Sequence, residues 1–147
     1  MICRADLHTH STASDGQYTP ADLARRAWAR GIEVWALTDH DSLDGLDEAA
    51  ETGRALGMQT VRGVELSAED YPNLHILGYA FPAGSPVLEK MTAELKAGRN
   101  DRKYRIRDFL RAKGVDIPLD EVDEAAGSGV VGRPHFAQVM LRHGYVA

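Results

Sequence analysis

The sequence predicts an α/β protein, because patterns of buried strands and amphipathic helices alternate along its first half. Glycines end both helical patterns, as they commonly do at helix C-termini. Polar residues of the types that bind metals follow the strands. Strands that alternate with helices form parallel βα units, in which the chemistry lies at the carboxyl ends of the strands. At 147 residues the chain is long enough for one domain with a sizeable core.

The first half carries the patterns of four strands and two helices. Thr19 is expected to cap the first helix, with Pro20 in its first turn and Gly31 at its end. Ser42 or Asp44 is expected to cap the second helix. The expected strands are residues 1–7, 32–37, 58–66 and 74–79, and the expected helices are residues 20–30 and 42–56.

In the second half the helical pattern takes over. One long helix is expected at residues 87–113, because its apolar side chains lie close to a single face. A short helix at 119–126 and another helix at 133–143 follow, with a glycine-rich turn between them. The sequence therefore predicts two parts, a strand-containing part at 1–83 and a helical part at 84–147.

Charge and composition argue against several classes of protein. A net charge of −5 disfavours a module that only binds nucleic acid, because such binding depends on Lys and Arg contacts to phosphates. No run approaches the ~20 apolar residues that cross a bilayer, and no signal peptide is visible. The single cysteine, Cys3, lies in the first apolar run and is expected to be a buried thiol. The expectation is a cytoplasmic protein with no membrane partner.

Potential metal ligands fall where strands end or loops turn. His8 and His10 are two residues apart, and on a strand this spacing places both side chains on the same face. Any one such residue alone would more often have a structural role, and the prediction rests on their shared position at one edge of the sheet. The full set of candidate ligands is His8, His10, Asp15, His40, Glu65 and His75.

The residue types indicate which ions this site would hold. Imidazoles and carboxylates without a thiolate favour Zn²⁺, Mn²⁺ or Fe²⁺ over Ca²⁺. The ligands outnumber the needs of one ion, and Glu65 can bridge two, so two or three ions are expected. Glu65 must then lie close to His8 and His10. Asp39 lies on the opposite face of the strand from His40 and is expected to support a ligand rather than bind an ion.

Five segments resemble, in order, the motifs of the PHP (polymerase and histidinol phosphatase) family. The resemblance implies a distorted (βα)₇ barrel. Its first half would be residues 1–83, and residues 84–147 would be a helical insertion. The five segments are residues 6–11 (DLHTHS), 14–16 (SDG), 37–41 (LTDHD), 63–65 (GVE) and 75–79 (HILGY).

The resemblance also implies a cluster of up to three metals and a phosphoesterase activity. Water activated by these metals as hydroxide would attack the phosphorus atom. Glu65, His40 and Asp15 are the candidate catalytic residues. By position in the motifs, the first metal would be held by His8, His10 and Glu65, the second by Glu65 and His75, and the third by Asp15 and His40.

Residues 132–137 and 144–146 resemble the helical insertion of the family's small-nucleotide phosphatases. The resemblance implies hydrolysis of phosphate monoesters such as nucleoside 3′,5′-bisphosphates. For some members it also implies trimming of short RNA 5′ ends. Arg133 and His135 lie at the start of a helix, where the positive end of the helix dipole suits a phosphate. The alternative is a helix start whose charges are incidental.

Arg99 and Arg102 belong to a basic run along the long helix. They are candidates for contact with a second phosphate of the substrate, because guanidinium groups bind phosphates through paired hydrogen bonds. The alternative is that these arginines, like their basic neighbours, form the solvated face of the helix.

Two other functions stay open. A histidinol-phosphate phosphatase is disfavoured by the insertion, and a non-catalytic, metal-stabilised polymerase domain lacks an accompanying polymerase segment. Four strands cannot close a seven-stranded barrel, and the later ligands of the family are not in this sequence. The chain is therefore expected to be a fragment, a cleaved product or a natural half that pairs with another chain. By itself it is expected to be weakly active or inactive.

Overall fold

A single sheet organises the first half of the chain in the computed structural model, which describes residues 3–68, 74–127 and 129–146, without the side chains of residues 99 and 100. The first three strands pair in parallel, as predicted, and the fourth runs antiparallel to the third. The third and fourth strands are close in sequence, and a short connection permits only antiparallel pairing. Within the described ranges the strand order is β1 (Ala5–Asp6), β2 (Val34–Leu37), β3 (Gln59–Ser67) and β4 (His75–Tyr79).

Two helices, α1 (Pro20–Ala29) and α2 (Leu46–Ala55), pack beside this sheet. Thr19 caps α1 as predicted, because its hydroxyl accepts a hydrogen bond from the N–H of Asp22 at 3.1 Å. Gly31 follows α1 with a φ of +76°, a conformation that residues with a Cβ rarely adopt. The buried core shared by the sheet and these helices consists of Ala24, Ala27, Trp35, Leu37, Leu46, Ala49 and Met58.

Three local expectations are corrected by the structure. α2 begins at Leu46 rather than at residue 42, because Ser42 Oγ accepts the N–H of Asp44 at 3.3 Å in a turn before the helix. β1 is shorter than predicted, although residues 1 and 2 lie outside the described ranges. Cys3 is exposed rather than buried. It precedes β1, which is an edge strand of the sheet as far as the structure describes it.

The second half is helical and has a core of its own. The predicted long helix is confirmed, and its side chains Ile106 and Leu110 pack against the second core, whose buried members include Val122 and Phe136. No helix in the described part of the chain is both long enough and apolar enough to cross a bilayer. The helices of this half are α3 (Pro86–Arg111), α4 (Leu119–Ala126) and α5 (Arg133–Arg142).

The turn between α4 and α5 places the helical half against the loop that follows β1. Gly129 lies so close to this loop that a Cβ there would come within 2.5 Å of the Ser14 carbonyl oxygen and 2.6 Å of the Thr12 carbonyl oxygen. A Cβ on Gly132 would lie 3.6 Å from the Cβ of Asp15. The start of α5 is therefore held beside the loop that carries a predicted metal ligand.

We predict that Gly129→Ala in the full-length protein lowers the free energy of unfolding by about 1–3 kcal/mol, because backbone atoms must move to admit the methyl group. Gly98→Ala in α3 is the matched control, since a Cβ there meets nothing within 4 Å. That control should raise stability by up to about 1 kcal/mol. Denaturant unfolding measures both. Equal effects of the two substitutions would contradict the close approach at Gly129.

Candidate metal centre

The segment that follows β1 carries two of the predicted ligands, His8 and His10. Hydrogen bonds to the end of β2 hold the residue between them. The Thr9 N–H donates to Thr38 Oγ1 at 3.1 Å, and the Thr38 N–H donates to the Thr9 carbonyl at 2.9 Å. In an extended chain, the side chains immediately before and after Thr9 point to the same face. The two imidazoles consequently lie near each other, with ring centroids 5.1 Å apart.

The next strands bring three more predicted ligands to the same edge of the sheet. His40, beyond the end of β2, forms a parallel bridge with Glu65 of β3. His75 opens β4, where the antiparallel register pairs it with Ser67. Glu65 is paired with Leu77 in that register, so Glu65 and His75 are separated by only a short distance along the hairpin.

Asp15 reaches the site because the loop after His10 folds back on itself. The N–H groups of Ser14 and Gly16 both donate to the Ser11 carbonyl, at 3.1 and 2.9 Å. Gly16 packs directly on the backbone of His10, and a Cβ at this position would overlap the His10 carbonyl. Only glycine permits this close approach. The tight turn returns the Asp15 carboxylate to His10, with Oδ1 of Asp15 at 3.6 Å from Nδ1 of His10.

The carboxylate of Glu65 lies at the centre of the cluster. Its Oε2 is 2.9 Å from Nε2 of His8 and 3.1 Å from Nε2 of His10. The same oxygen is 3.6 Å from Nδ1 of His40, while Oε1 is 2.7 Å from Nδ1 of His75. The expectation that Glu65 lies close to His8 and His10 is confirmed. The two oxygens face different histidines, as a bridging carboxylate requires.

Glu65 is only 6% exposed, and burial by itself would raise the pKa of its carboxyl. The hydrogen bonds with His8 and His75 and the electrostatic attraction of His40 and His10 outweigh that effect. The pKa of Glu65 is lowered as a result, and the carboxylate is ionised at neutral pH. An ionised carboxylate is the form that binds a metal.

The described residues supply three groups of side chains whose ligand atoms lie within 4.8 Å of one another. The groups overlap, since His10, His40 and Glu65 each belong to two of them. All six predicted ligands are included. The groups are His8 with His10 and Glu65, His10 with Asp15 and His40, and His40 with Glu65 and His75.

The spacing of these atoms fits divalent cations. Bonds of about 2.1 Å at angles of about 90–120° separate two ligand atoms by roughly 3.0–3.6 Å. Nδ1 of His10 is 3.6 Å from Oδ1 of Asp15, and Nε2 of His40 is 3.8 Å from Oδ2 of Asp15. The His10 Nδ1 atom is buried and has no hydrogen-bond partner among the described residues. Such an atom is costly unless something binds it, and a cation between His10 and Asp15 would do so.

Asp39 is placed as the sequence predicted. It is 1% exposed and belongs to none of the three ligand groups of the described residues. Its carboxylate instead accepts hydrogen bonds from Ser11 and Ser14, in the loop that carries Asp15. This arrangement agrees with a supporting role behind the ligands.

A cavity of about 140 Å³ opens beside the cluster, between the sheet edge and the helical half. Its lining from the sheet half consists of the candidate ligands Asp15, His40 and His75. Its lining from the helical half includes Arg102 and Arg133, two of the predicted substrate contacts. The remaining lining residues are Lys103, Ile106, Val131, Gly132 and Pro134. The cavity therefore joins a wall of candidate ligands to a cationic wall.

The other two predicted substrate contacts are Arg99 and His135. The side chain of Arg99 lies outside the described residues. His135 is not among the described residues that line the cavity, and it is only 3% exposed. Its Nδ1 accepts the N–H of Gly132 at 3.0 Å and so caps α5. The structure thus gives His135 a part in the helix start, and its contact with a phosphate stays a prediction.

Lys103 also lines the cavity, whereas the basic run along the long helix predicts a place for it in the solvated face. A signal was present, because Arg99, Lys103 and Ile106 are spaced as one helix face. Lys103 Nζ lies 2.8 Å from an oxygen of Asp123 in α4, so the lysine also ties α3 to α4. That contact between two helices is not readable from the spacing.

Comparison with known proteins agrees with this geometry. The family model described as PHP domain matches residues 6–112. A 5′-3′ exoribonuclease of Haemophilus influenzae is 36% identical over 148 residues, which cover 100% of this chain and 54% of that protein. A 3′,5′-nucleoside bisphosphate phosphatase of Chromobacterium violaceum is 34% identical over 147 residues, which cover 99% of this chain and 52% of that protein.

A solved structure shows the same fold. An amidohydrolase from Chromobacterium violaceum, described with bound sulfate and no metal, superposes with a TM-score of 0.88 at 33% identity. The superposition covers 98% of this chain and 51% of that one. The chain thus spans about half the length of the curated relatives and the structure it matches. This agrees with the expectation that its four strands are part of a larger barrel.

We predict that Glu65→Gln in the full-length protein lowers metal content and reduces phosphoesterase turnover by more than about 100-fold, because the amide lacks the charge and one of the two acceptor oxygens. Elemental analysis of the purified protein and steady-state kinetics measure the two effects. Glu51→Gln, on the exposed surface of α2, is the matched control. Near-normal turnover in Glu65→Gln would contradict the bridging role.

We predict that His135→Ala lowers the free energy of unfolding by about 1–3 kcal/mol at neutral pH, because the Gly132 N–H loses its acceptor. His135→Asn, whose amide oxygen can replace Nδ1, should lose less.

Burial lowers the pKa of His135 below the usual 6.5, an effect that the nearby Asp15 carboxylate opposes. The stability contributed by neutral His135 is therefore full above pH 6.5 and is lost as the pH falls through the lowered pKa.

Denaturant unfolding at about pH 7.5 and about pH 5.5 tests this dependence. The difference between these two pH values should be smaller in His135→Asn than in the unsubstituted protein, because the variant lacks the titrating group. An unchanged difference would show that His135 does not contribute to the acid sensitivity.

Proposed function

The chain belongs to the PHP domain family, and we propose that the full-length protein is a metal-dependent phosphatase that acts on small nucleotides such as nucleoside 3′,5′-bisphosphates. The observation that carries this proposal is the cavity shared by candidate ligands and cations. Asp15, His40 and His75 form one wall, and Arg102 and Arg133 contribute to the other. A substrate with two phosphates matches a site with two separate means of binding phosphate.

The cationic wall is suited to the phosphate that is not hydrolysed. Arg133 is the first residue of α5, where the positive end of the helix dipole favours an anion. Arg102 lies in α3 on the same cavity. A guanidinium group can donate two parallel hydrogen bonds to the oxygens of one phosphate, which both binds and orients the phosphate. We assign Arg102 and Arg133 to substrate binding, and Arg99 remains a candidate from sequence alone.

The ligand wall is suited to the phosphate that is hydrolysed. We propose two or three Zn²⁺, Mn²⁺ or Fe²⁺ ions in the overlapping ligand groups. When bound, these ions would supply Lewis acidity that lowers the pKa of bound water toward neutrality and offsets charge on the phosphate oxygens. Glu65 spans two ligand groups and keeps them in register. Asp15 and His40 face the cavity and orient the attacking water toward phosphorus, so we assign these three residues to catalysis.

Trimming of RNA 5′ ends is the second candidate function. The Haemophilus influenzae relative, an exoribonuclease at 36% identity, favours it. The chemistry at the ligand wall would be the same, and the difference would lie in what extends beyond the first nucleotide. Because the chain spans about half of each relative, the substrate depends in part on residues outside this sequence.

The substrate proposal is tested by comparing turnover by the full-length protein with Mn²⁺, Zn²⁺ or Fe²⁺ added. The substrates are adenosine 3′,5′-bisphosphate, a short RNA with a 5′ phosphate, and histidinol phosphate. We expect the highest kcat/KM for the bisphosphate. A preference for the RNA would replace the proposal with the second candidate, and a preference for histidinol phosphate would exclude both. Metal binding without turnover of any substrate would indicate a non-catalytic, metal-stabilised domain.

We predict that Arg133→Ala raises KM for the bisphosphate by roughly 10–100-fold, because one charge-assisted hydrogen bond of about 1.5–3 kcal/mol is lost. Metal content should be unchanged, since Arg133 is not a ligand. Arg142→Ala, at the other end of α5, is the matched control and should leave KM unaltered. Unchanged kinetics in Arg133→Ala would show that this arginine serves only the helix start.

A further inference from the structure

Two buried aspartates flank His40 in the chain, and neither belongs to a ligand group of the described residues. Asp39 is 1% exposed and Asp41 is 0% exposed. A buried carboxylate is costly unless its oxygens are hydrogen-bonded. In both residues the carboxylate accepts from a backbone N–H and from serine hydroxyls on neighbouring segments of the chain.

Asp39 holds the loop on one side of His40. Its Oδ1 accepts the Ser11 N–H at 2.7 Å and the Ser14 hydroxyl at 2.6 Å, and its Oδ2 accepts the Ser11 hydroxyl at 2.6 Å. Ser11 directly follows His10, and Ser14 directly precedes Asp15. One carboxylate therefore fixes both ends of the short loop between these two candidate ligands.

Asp41 holds the strands on the other side of His40. Its Oδ1 accepts the Ser67 N–H at 2.7 Å, and its Oδ2 accepts the Ser67 hydroxyl at 2.8 Å. Ser67 lies two residues beyond Glu65 in β3 and is paired with His75 of β4. This carboxylate therefore fixes the end of the hairpin that carries both of these candidate ligands.

The backbone of Asp41 is adapted to this contact. Its φ is +49°, in the left-handed region where Asp and Asn are the most tolerated residues with a side chain. Its N–H donates to the Glu65 carbonyl at 2.9 Å, so the turn remains attached to β3. The left-handed turn at Asp41, directly after the bridge at His40, directs the Asp41 side chain toward Ser67 instead of continuing along the sheet.

We propose that Asp39 and Asp41 are positioning residues with separate tasks. Asp39 sets the group of His10, Asp15 and His40, and Asp41 sets the group of His40, Glu65 and His75. This inference rests on the proposed function in so far as these groups bind metal ions. It adds that the two sides of the cluster are aligned independently, each by one carboxylate beside the shared ligand His40.

The test compares ion occupancy in Asp39→Asn and Asp41→Asn forms of the full-length protein, by anomalous diffraction from crystals grown with limiting Zn²⁺. Asn has nearly the same shape as Asp but has one acceptor oxygen and no charge. Asp39→Asn should lose occupancy mainly between Asp15 and His40, and Asp41→Asn mainly between Glu65 and His75. Zn²⁺ titration in solution should show each affinity reduced by about 10–100-fold.

Milder variants keep the test decisive if either Asn variant does not fold. Ser14→Ala removes one donor to Asp39, and Ser67→Ala removes one donor to Asp41. Each should shift occupancy in the same direction as the corresponding Asn variant, by less. Asp116→Asn, at an exposed ion pair with Arg111, is the matched control and should leave occupancy unchanged.

The outcome distinguishes this inference from the proposed function. Loss of the same ion in both variants, or full occupancy in both, would overturn the separate tasks. In the double variant Asp39→Asn/Asp41→Asn, each ion site should lose the same fold in affinity as in the corresponding single variant if the tasks are independent. A protein that binds zinc as described but hydrolyses no nucleotide would overturn the proposed function and leave the positioning roles intact.

Discussion

The arrangement at the edge of the sheet depends on one buried carboxylate, that of Glu65. Imidazoles from three different parts of the chain lie within 3.6 Å of its oxygens, and the nearest belong to His8, His10 and His75. Burial opposes ionisation, and the surrounding histidines outweigh it and lower the pKa of the carboxyl. Because the ligands come from the ends of several strands, the register of the sheet sets the geometry of the site.

The second constraint is the junction between the two halves of the chain. Each half has its own core, one centred on Trp35 and Leu37 and the other on Val122 and Phe136. They meet where Gly129 packs on the loop after β1, and Lys96 adds an ion pair of 2.6 Å with Asp44. The cavity exists because of this junction. The ligands come from the sheet and the cations from the helices, and neither half alone forms both walls.

Much of the local structure was predictable because it depends on near neighbours in sequence. The Thr19 cap, the left-handed Gly31 and the long helix α3 follow from residue type and spacing. The start of α2 was not predictable in this way, because a turn at Ser42 competes with the helix. The exposure of Cys3 was also missed, since it depends on the position of β1 at the edge of the sheet.

By itself the sequence determined which side chains could bind ions and that they would converge, because the carboxyl ends of neighbouring parallel strands lie side by side. Only the tertiary structure decided how these side chains divide into separate ligand groups. It directs the two oxygens of Glu65 to different histidines, brings Lys103 into the cavity and turns His135 inward as a helix cap. The reason is physical: each outcome is set by contacts between segments distant in sequence or by the burial they create, which residue spacing does not encode.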